Sequence, residues 1–106
     1  MGNRIRKVNE FLREEVSKVI SENLDRDDFV TVTAVETTED LRHATIWVSI
    51  FSGEEKAFED LLSIRHEIQK EINRKLTMKF VPKLEFKIDH SQQAVTRIEE
   101  LLREDL

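Results

Sequence analysis

Residues 80–89 read Phe80-Val81-Pro82-Lys83-Leu84-Glu85-Phe86-Lys87-Ile88-Asp89. Leu84, Phe86 and Ile88 alternate with Lys83, Glu85, Lys87 and Asp89. That period of two marks a strand with one buried face and one wet face. Pro82, the only proline, stands at the mouth of the strand. Its missing N–H is harmless there, and it is expected to stop the preceding helix.

Upstream, Ala57, Leu61, Ile64, Ile68, Ile72 and Leu76 recur at helical spacing, which predicts one long helix opened by Ser52-Gly53 and Glu54-Glu55. Before it, Ala44 to Phe51 alternates as a second strand, with Ala44, Ile46, Val48 and Ile50 on one face and Thr45, Trp47, Ser49 and Phe51 on the other. Phe29 to Val35 predicts a further strand, with Val30, Val32 and Ala34 on one side. Thr37-Thr38-Glu39-Asp40 supplies the turn that makes these two an antiparallel hairpin. Residues 4–23 form an amphipathic helix through Ile5, Val8, Leu12, Val16, Val19 and Ile20. Downstream, Ser91 can cap a last helix with Val95, Ile98, Leu101 and Leu102 on its apolar stripe.

The order is α-β-β-α-β-α. Three strands with one apolar face each predict an α+β fold of two layers, a three-stranded sheet covered by helices on one face. At 106 residues the chain is a single domain, 1–106. It has no cysteine, so disulfides and thiolate metal sites are excluded. No apolar run reaches the roughly 18 residues of a membrane span, and the N-terminus lacks the apolar core of a secretory signal. We therefore expect a cytoplasmic protein with no membrane contact.

The net charge is −5, but it is unevenly spread. Residues 1–18 carry +2, residues 19–63 carry −8, residues 64–88 carry +4 and residues 89–106 carry −3. Phosphate recognition depends on the local field, so the two basic helical segments matter more than the total. On the long helix, His66, Lys70, Asn73 and Arg74 point away from the apolar stripe. Lys70 and Arg74 are like charges four residues apart, a small cost that a polyanion relieves, as would Glu67 and Glu71.

These blocks together resemble the ribosome-binding factor A family, over nearly the whole chain. The resemblance rests on residues 4–20 (RIRKVNEFLREEVSKVI), on residues 32–51 with Asp40-Leu41 before the second strand, on residues 80–86 with Asp89, and on residues 97–102 (RIEELL). It implies a type II KH-like fold and a non-catalytic factor. Such a factor binds the free 30S small subunit and supports 16S rRNA processing, maturation and subunit assembly. It further suggests ribosomal proteins and an assembly GTPase as additional partners, and a monomer without cofactors. The basic helical segments, taken with this resemblance, make Arg4, Arg6, Lys7, Arg65, Lys70, Arg74, Lys75 and Lys79 the expected RNA-binding residues. The family's Ala-x-Gly helix kink would fall at Ile64-Arg65-His66, where neither Ala nor Gly stands, so the sequence allows a continuous or gently bent helix.

Enzymatic readings find little. His66-Glu67-Ile68-Gln69-Lys70 begins like a zinc-protease motif but has Lys70 where the second histidine belongs. His43, His66 and His90 lie on separate elements. With only Gly2 and Gly53, no glycine loop can cradle phosphate. We expect no catalytic or metal site. The alternative to RNA binding is a protein–protein adaptor or homodimer that uses the open sheet face around Trp47.

Overall fold

The structure is a computed structural model that describes residues 2–24, 30–50, 54–79 and 81–90. The elements are α1 (Gly2–Asn23), β1 (Val30–Thr37), β2 (His43–Ile50), α2 (Glu54–Ser63), α3 (Arg65–Lys75) and β3 (Lys83–Ile88). The expected helix after Ser91 and the expected strand ends at Phe29 and Phe51 lie outside the described residues.

The sheet order is β1-β2-β3. β1 and β2 are antiparallel, from Val30 opposite Ile50 to Thr37 opposite Ala44. β2 and β3 are parallel, from His43 beside Lys83 to Val48 beside Ile88. A parallel pair needs a crossover, and the two central helices supply it. Ala44, Ile46, Val48 and Ile50 of β2 are buried on the inner face with Leu84 and Phe86 of β3. Against them pack Val8, Leu12, Val16, Val19 and Ile20 of α1, Ala57 and Leu61 of α2, and Ile68 and Ile72 of α3. Among the described residues no polar or charged residue is buried. Each fully buried Leu or Ile here contributes on the order of 1.5–3 kcal/mol of transfer free energy.

Three details differ from the sequence reading. The long helix is broken. Ile64 leaves helical geometry at φ −100° and ψ 4°. Its N–H reaches back three residues to the Leu61 carbonyl (3.2 Å), and the Ser63 hydroxyl donates to the Asp60 carbonyl (2.6 Å). A serine bonding back into the preceding turn bends helices without any glycine. The element order is thus α-β-β-α-α-β, and the bend occurs at the position where Ala and Gly are both missing. Second, α3 ends at Lys75 with Leu76 already extended, so Pro82 is not what stops it. Third, β1 is bulged between Val32 and Ala34. The extra residue, Thr33, shifts the alternation, so Ala34 stands opposite Trp47, and Val35 stands opposite Ile46 and packs against the core.

The hairpin turn is held by side chains. The Asp40 carboxylate accepts from the Thr38 hydroxyl (2.6 Å) and the Arg42 N–H (3.1 Å). These two bonds, the hydroxyl first, hold its carboxyl below the ordinary aspartate range. Leu41 takes the left-handed conformation, φ 62°, unusual for leucine. Its partly buried side chain packs on the core, which offsets the strain.

Candidate RNA-binding surface on α1 and α3

The two basic helices lie side by side and run antiparallel. Lys75 Nζ is 2.7 Å from Glu15 Oε2, and one turn earlier on α3, Glu71 feels the charge of Lys18. Ascending α1 is therefore descending α3. The Lys75–Glu15 pair is well shielded, with 27% and 17% of the two side chains exposed. The hydrogen bond that Lys75 donates to Glu15 raises the Lys75 pKa above the ordinary lysine value. Lys75 is thus a tie between helices.

Arg74 is exposed and is paired with Glu71 at 2.8 Å. That bond raises the arginine pKa and lowers that of Glu71. Lys70 is exposed on the side of α3 opposite buried Ile68 and Ile72. Arg65 is exposed at the first position of α3, and Lys79 is exposed beyond its end. On α1, Arg4, Arg6 and Lys7 are all exposed. At 100° per residue, Arg4 lies close to the Glu15 flank, Lys7 lies further round on the solvent side, and Arg6 lies on the opposite flank. Arg6 also donates to Asn3 Oδ1 at 3.4 Å. Because the helices are antiparallel and Glu15 lies beside Lys75, Arg4 and Lys7 lie past the C-terminal end of α3. By helix geometry Arg4 and Lys7 on α1 and Lys70 and Arg74 on α3 are exposed on the two sides of the α1–α3 seam, and Lys79 is exposed beyond the end of α3. Arg65 sits at the far end, Lys75 is in the seam and Arg6 is turned away.

Sequence reasoning missed Gln69. Its Nε2 donates to the Pro82 carbonyl (3.0 Å) and to Asn73 Oδ1 (3.1 Å), and its Oε1 accepts the Leu84 N–H (2.9 Å). This amide occupies the free edge of β3 where the strand begins and ties it to α3. Its only sequence signal is an uncharged polar residue among charged ones. Beside it an open groove of about 430 Å³ is lined by Arg65, His66, Asn73, Lys83 and Leu84. Among the described residues no group of three or more His, Asp or Glu residues could hold a metal ion, and no helix is long and apolar enough to cross a membrane.

Comparison with known proteins agrees with this architecture. The ribosome-binding factor A from Caldanaerobacter subterraneus subsp. tengcongensis is 37% identical over 111 residues, covering 98% of this chain and 90% of that protein. The one from Geobacter sulfurreducens is 37% identical over 109 residues, covering 98% and 92%. The crystal structure of ribosome-binding factor A from Thermus thermophilus shares the fold, with a TM-score of 0.72 at 24% identity over 82% of this chain and 97% of that one. The Thermus protein as fitted into the cryo-EM map of its 30S complex superposes with a TM-score of 0.64 at 24% identity, covering 77% and 91%. The family model "Ribosome-binding factor A" matches residues 4–102, nearly the whole chain, and the chain belongs to the ribosome-binding factor A family.

Proposed function

We propose that this chain binds the free 30S subunit and assists 16S rRNA processing and subunit assembly by binding alone, as a monomer in the cytoplasm, with no catalytic step. The observation that carries this reading is the antiparallel seating of α1 and α3. On this reading that seating lets Lys70 and Arg74 of α3 act together with Arg4 and Lys7 of α1, and with Lys79 beyond the end of α3, as one RNA-binding surface. The like charges on that surface become favourable when phosphates lie across them. The Thermus relative seen in a 30S complex supports the choice of partner. Arg65 and the groove beside Gln69 would extend the contact at the far end of α3.

The test is co-sedimentation of the purified chain with 30S subunits, 50S subunits and whole ribosomes at two salt concentrations. Selective pelleting with 30S particles that weakens with salt is expected. Lys70→Glu with Arg74→Glu should lower affinity by roughly tenfold or more and reduce the slope of log affinity against log salt by about 1.5. Unchanged affinity in that double variant rejects this surface. No pelleting of the parent chain at low salt rejects the function.

A further inference from the structure

The α1–α3 seam carries one more cation, Lys18, which is exposed on α1. Lys18 follows Lys7 by about three helical turns, so the two fall on one line of α1 roughly 16 Å apart. Its height on the seam follows from the tie between Glu15 and Lys75. In an antiparallel pair, one turn beyond Glu15 on α1 meets one turn before Lys75 on α3. That sets Lys18 opposite Glu71.

Glu71 therefore sits in the field of three cations. The Arg74 guanidinium donates to its Oε2 at 2.8 Å. That bond is the main cause of the lowered Glu71 pKa, and the charges of Arg74, Lys75 and Lys18 add to it. Lys75 is already tied to Glu15 at 2.7 Å. Lys18 and Arg74, from different helices, are left to share the Glu71 carboxylate. The shared anion is accessible, with 37% of the Glu71 side chain and 67% of the Arg74 side chain exposed. A carboxylate and a phosphodiester each present two terminal oxygens, and a guanidinium recognises both in the same way. An exposed ion pair one turn apart on a helix is weak, so a phosphate can compete with it.

We propose that Lys18 and Arg74 form a phosphate clamp across the α1–α3 seam, and that Glu71 occupies this clamp in the free protein as an internal substitute for an RNA phosphate. The proposal rests on the RNA-binding role of α1 and α3 and adds to it one ligand, Lys18, and one competitor, Glu71. When RNA binds, a backbone phosphate takes the place of the carboxylate on Arg74 and Lys18, and Glu71 turns into solvent. The competitor weakens binding to any polyanion. Tight binding is then reserved for a partner that engages the other cations of the surface as well.

The test is the affinity of the full chain for 30S subunits, measured against salt, in the parent and in Glu71→Gln, Lys18→Gln and Glu67→Gln. Glu67 is an exposed glutamate one turn away on α3 and serves as the charge-matched control. Glu71→Gln should bind about three- to tenfold more tightly, with a slope of log affinity against log salt steeper by about 0.7–0.9, the worth of one more neutralised phosphate. Lys18→Gln should weaken binding by a similar factor and flatten the slope by as much. Glu67→Gln should change affinity less than about twofold, because it acts only through the screened field. In an Arg74→Gln background the gain from Glu71→Gln should also fall below about twofold, since the two side chains act as one unit. Equal gains from Glu67→Gln and Glu71→Gln overturn the proposal, because net charge alone then sets affinity. So does a Glu71→Gln gain that persists without Arg74, or a Lys18→Gln chain that binds like the parent. Those three results leave the binding of the parent intact. A parent that binds no 30S subunits at low salt rejects the RNA-binding function itself, and the clamp with it.

Discussion

α2 and α3 continue the same apolar stripe of one stretch of sequence, yet they are built for different work. Each buries two side chains on the same sheet, Ala57 and Leu61 from α2, Ile68 and Ile72 from α3. Their outer faces differ. α2 carries four acidic residues and one lysine, whereas α3 carries four basic residues and two glutamates. The bend at Ile64 falls where the sign changes. α3 is also anchored twice more, to α1 through Lys75–Glu15 and to the edge of β3 through Gln69. The described contacts of α2 include no such arm to another element. The comparison teaches that α3 is the doubly anchored, cationic helix and that α2 is an acidic cover on the core; under the proposed function, a polyanion would meet the α3 side.

The largest expected effect tests whether the two helices share the core equally. Ile68→Ala and Leu61→Ala each remove a fully buried side chain and leave a cavity. Each should cost about 2–5 kcal/mol in urea unfolding. If Leu61→Ala costs less than about 1 kcal/mol, α2 docks loosely and the likeness of the two helices ends at their sequence pattern.

A smaller effect sharpens the difference in anchoring. Gln69→Ala removes three hydrogen bonds at once and leaves the partly buried Pro82 carbonyl and Leu84 N–H without that partner. We expect a loss of about 1–3 kcal/mol, with faster amide exchange at Leu84 than at Phe86. Gln69→Glu keeps an acceptor for Leu84 but loses the donor to Pro82, and should fall between the two. Equal stability of parent and Gln69→Ala would show that the edge of β3 is held by packing alone.

The inner sheet face was legible because its alternation obeys the period of two in β2 and β3, where every aliphatic position and Phe86 are turned inward and only Trp47 of the apolar residues faces out. β1 was half legible. Val30 and Val32 fit, but no residue type announces a bulge, and Thr33 displaced Ala34 to the outer side. The bend at Ile64 was hidden for a geometric reason. Leu61 and Ile68 are seven residues apart, nearly two full turns, so a straight helix and a bent one bury the same positions. Of the cationic surface, the exposure of Lys70 and Arg74 could be read from the wheel. The inward turn of Lys75 could not, because Glu15 is sixty residues away in sequence and only the packing of α1 brings it near. Gln69 escaped for the same reason, since its partners are backbone groups of a distant strand.

The smallest effect concerns the ion pairs on the two helices, and pH separates them. On α2, Lys56 and Asp60 are 3.4 Å apart with 73% and 43% of their side chains exposed. Such a pair is solvated and salt-screened, so Lys56→Gln should leave stability nearly unchanged. On α3, the Arg74 hydrogen bond lowers the Glu71 pKa below its ordinary 4.5. A carboxylate whose folded pKa is depressed stabilises the fold above its unfolded pKa and loses that contribution as pH falls through the folded value. Arg74→Gln removes the cause of the shift. Its melting temperature should therefore lie slightly below that of the parent at about pH 7. The gap should narrow as pH drops below about 4.5 and close once Glu71 is protonated in both proteins. A gap that persists unchanged at about pH 2 would mean that Arg74 acts through the packing of its aliphatic stem. In that case the charge on α3 is free for a polyanion, and pairing with Glu71 does little to hold it.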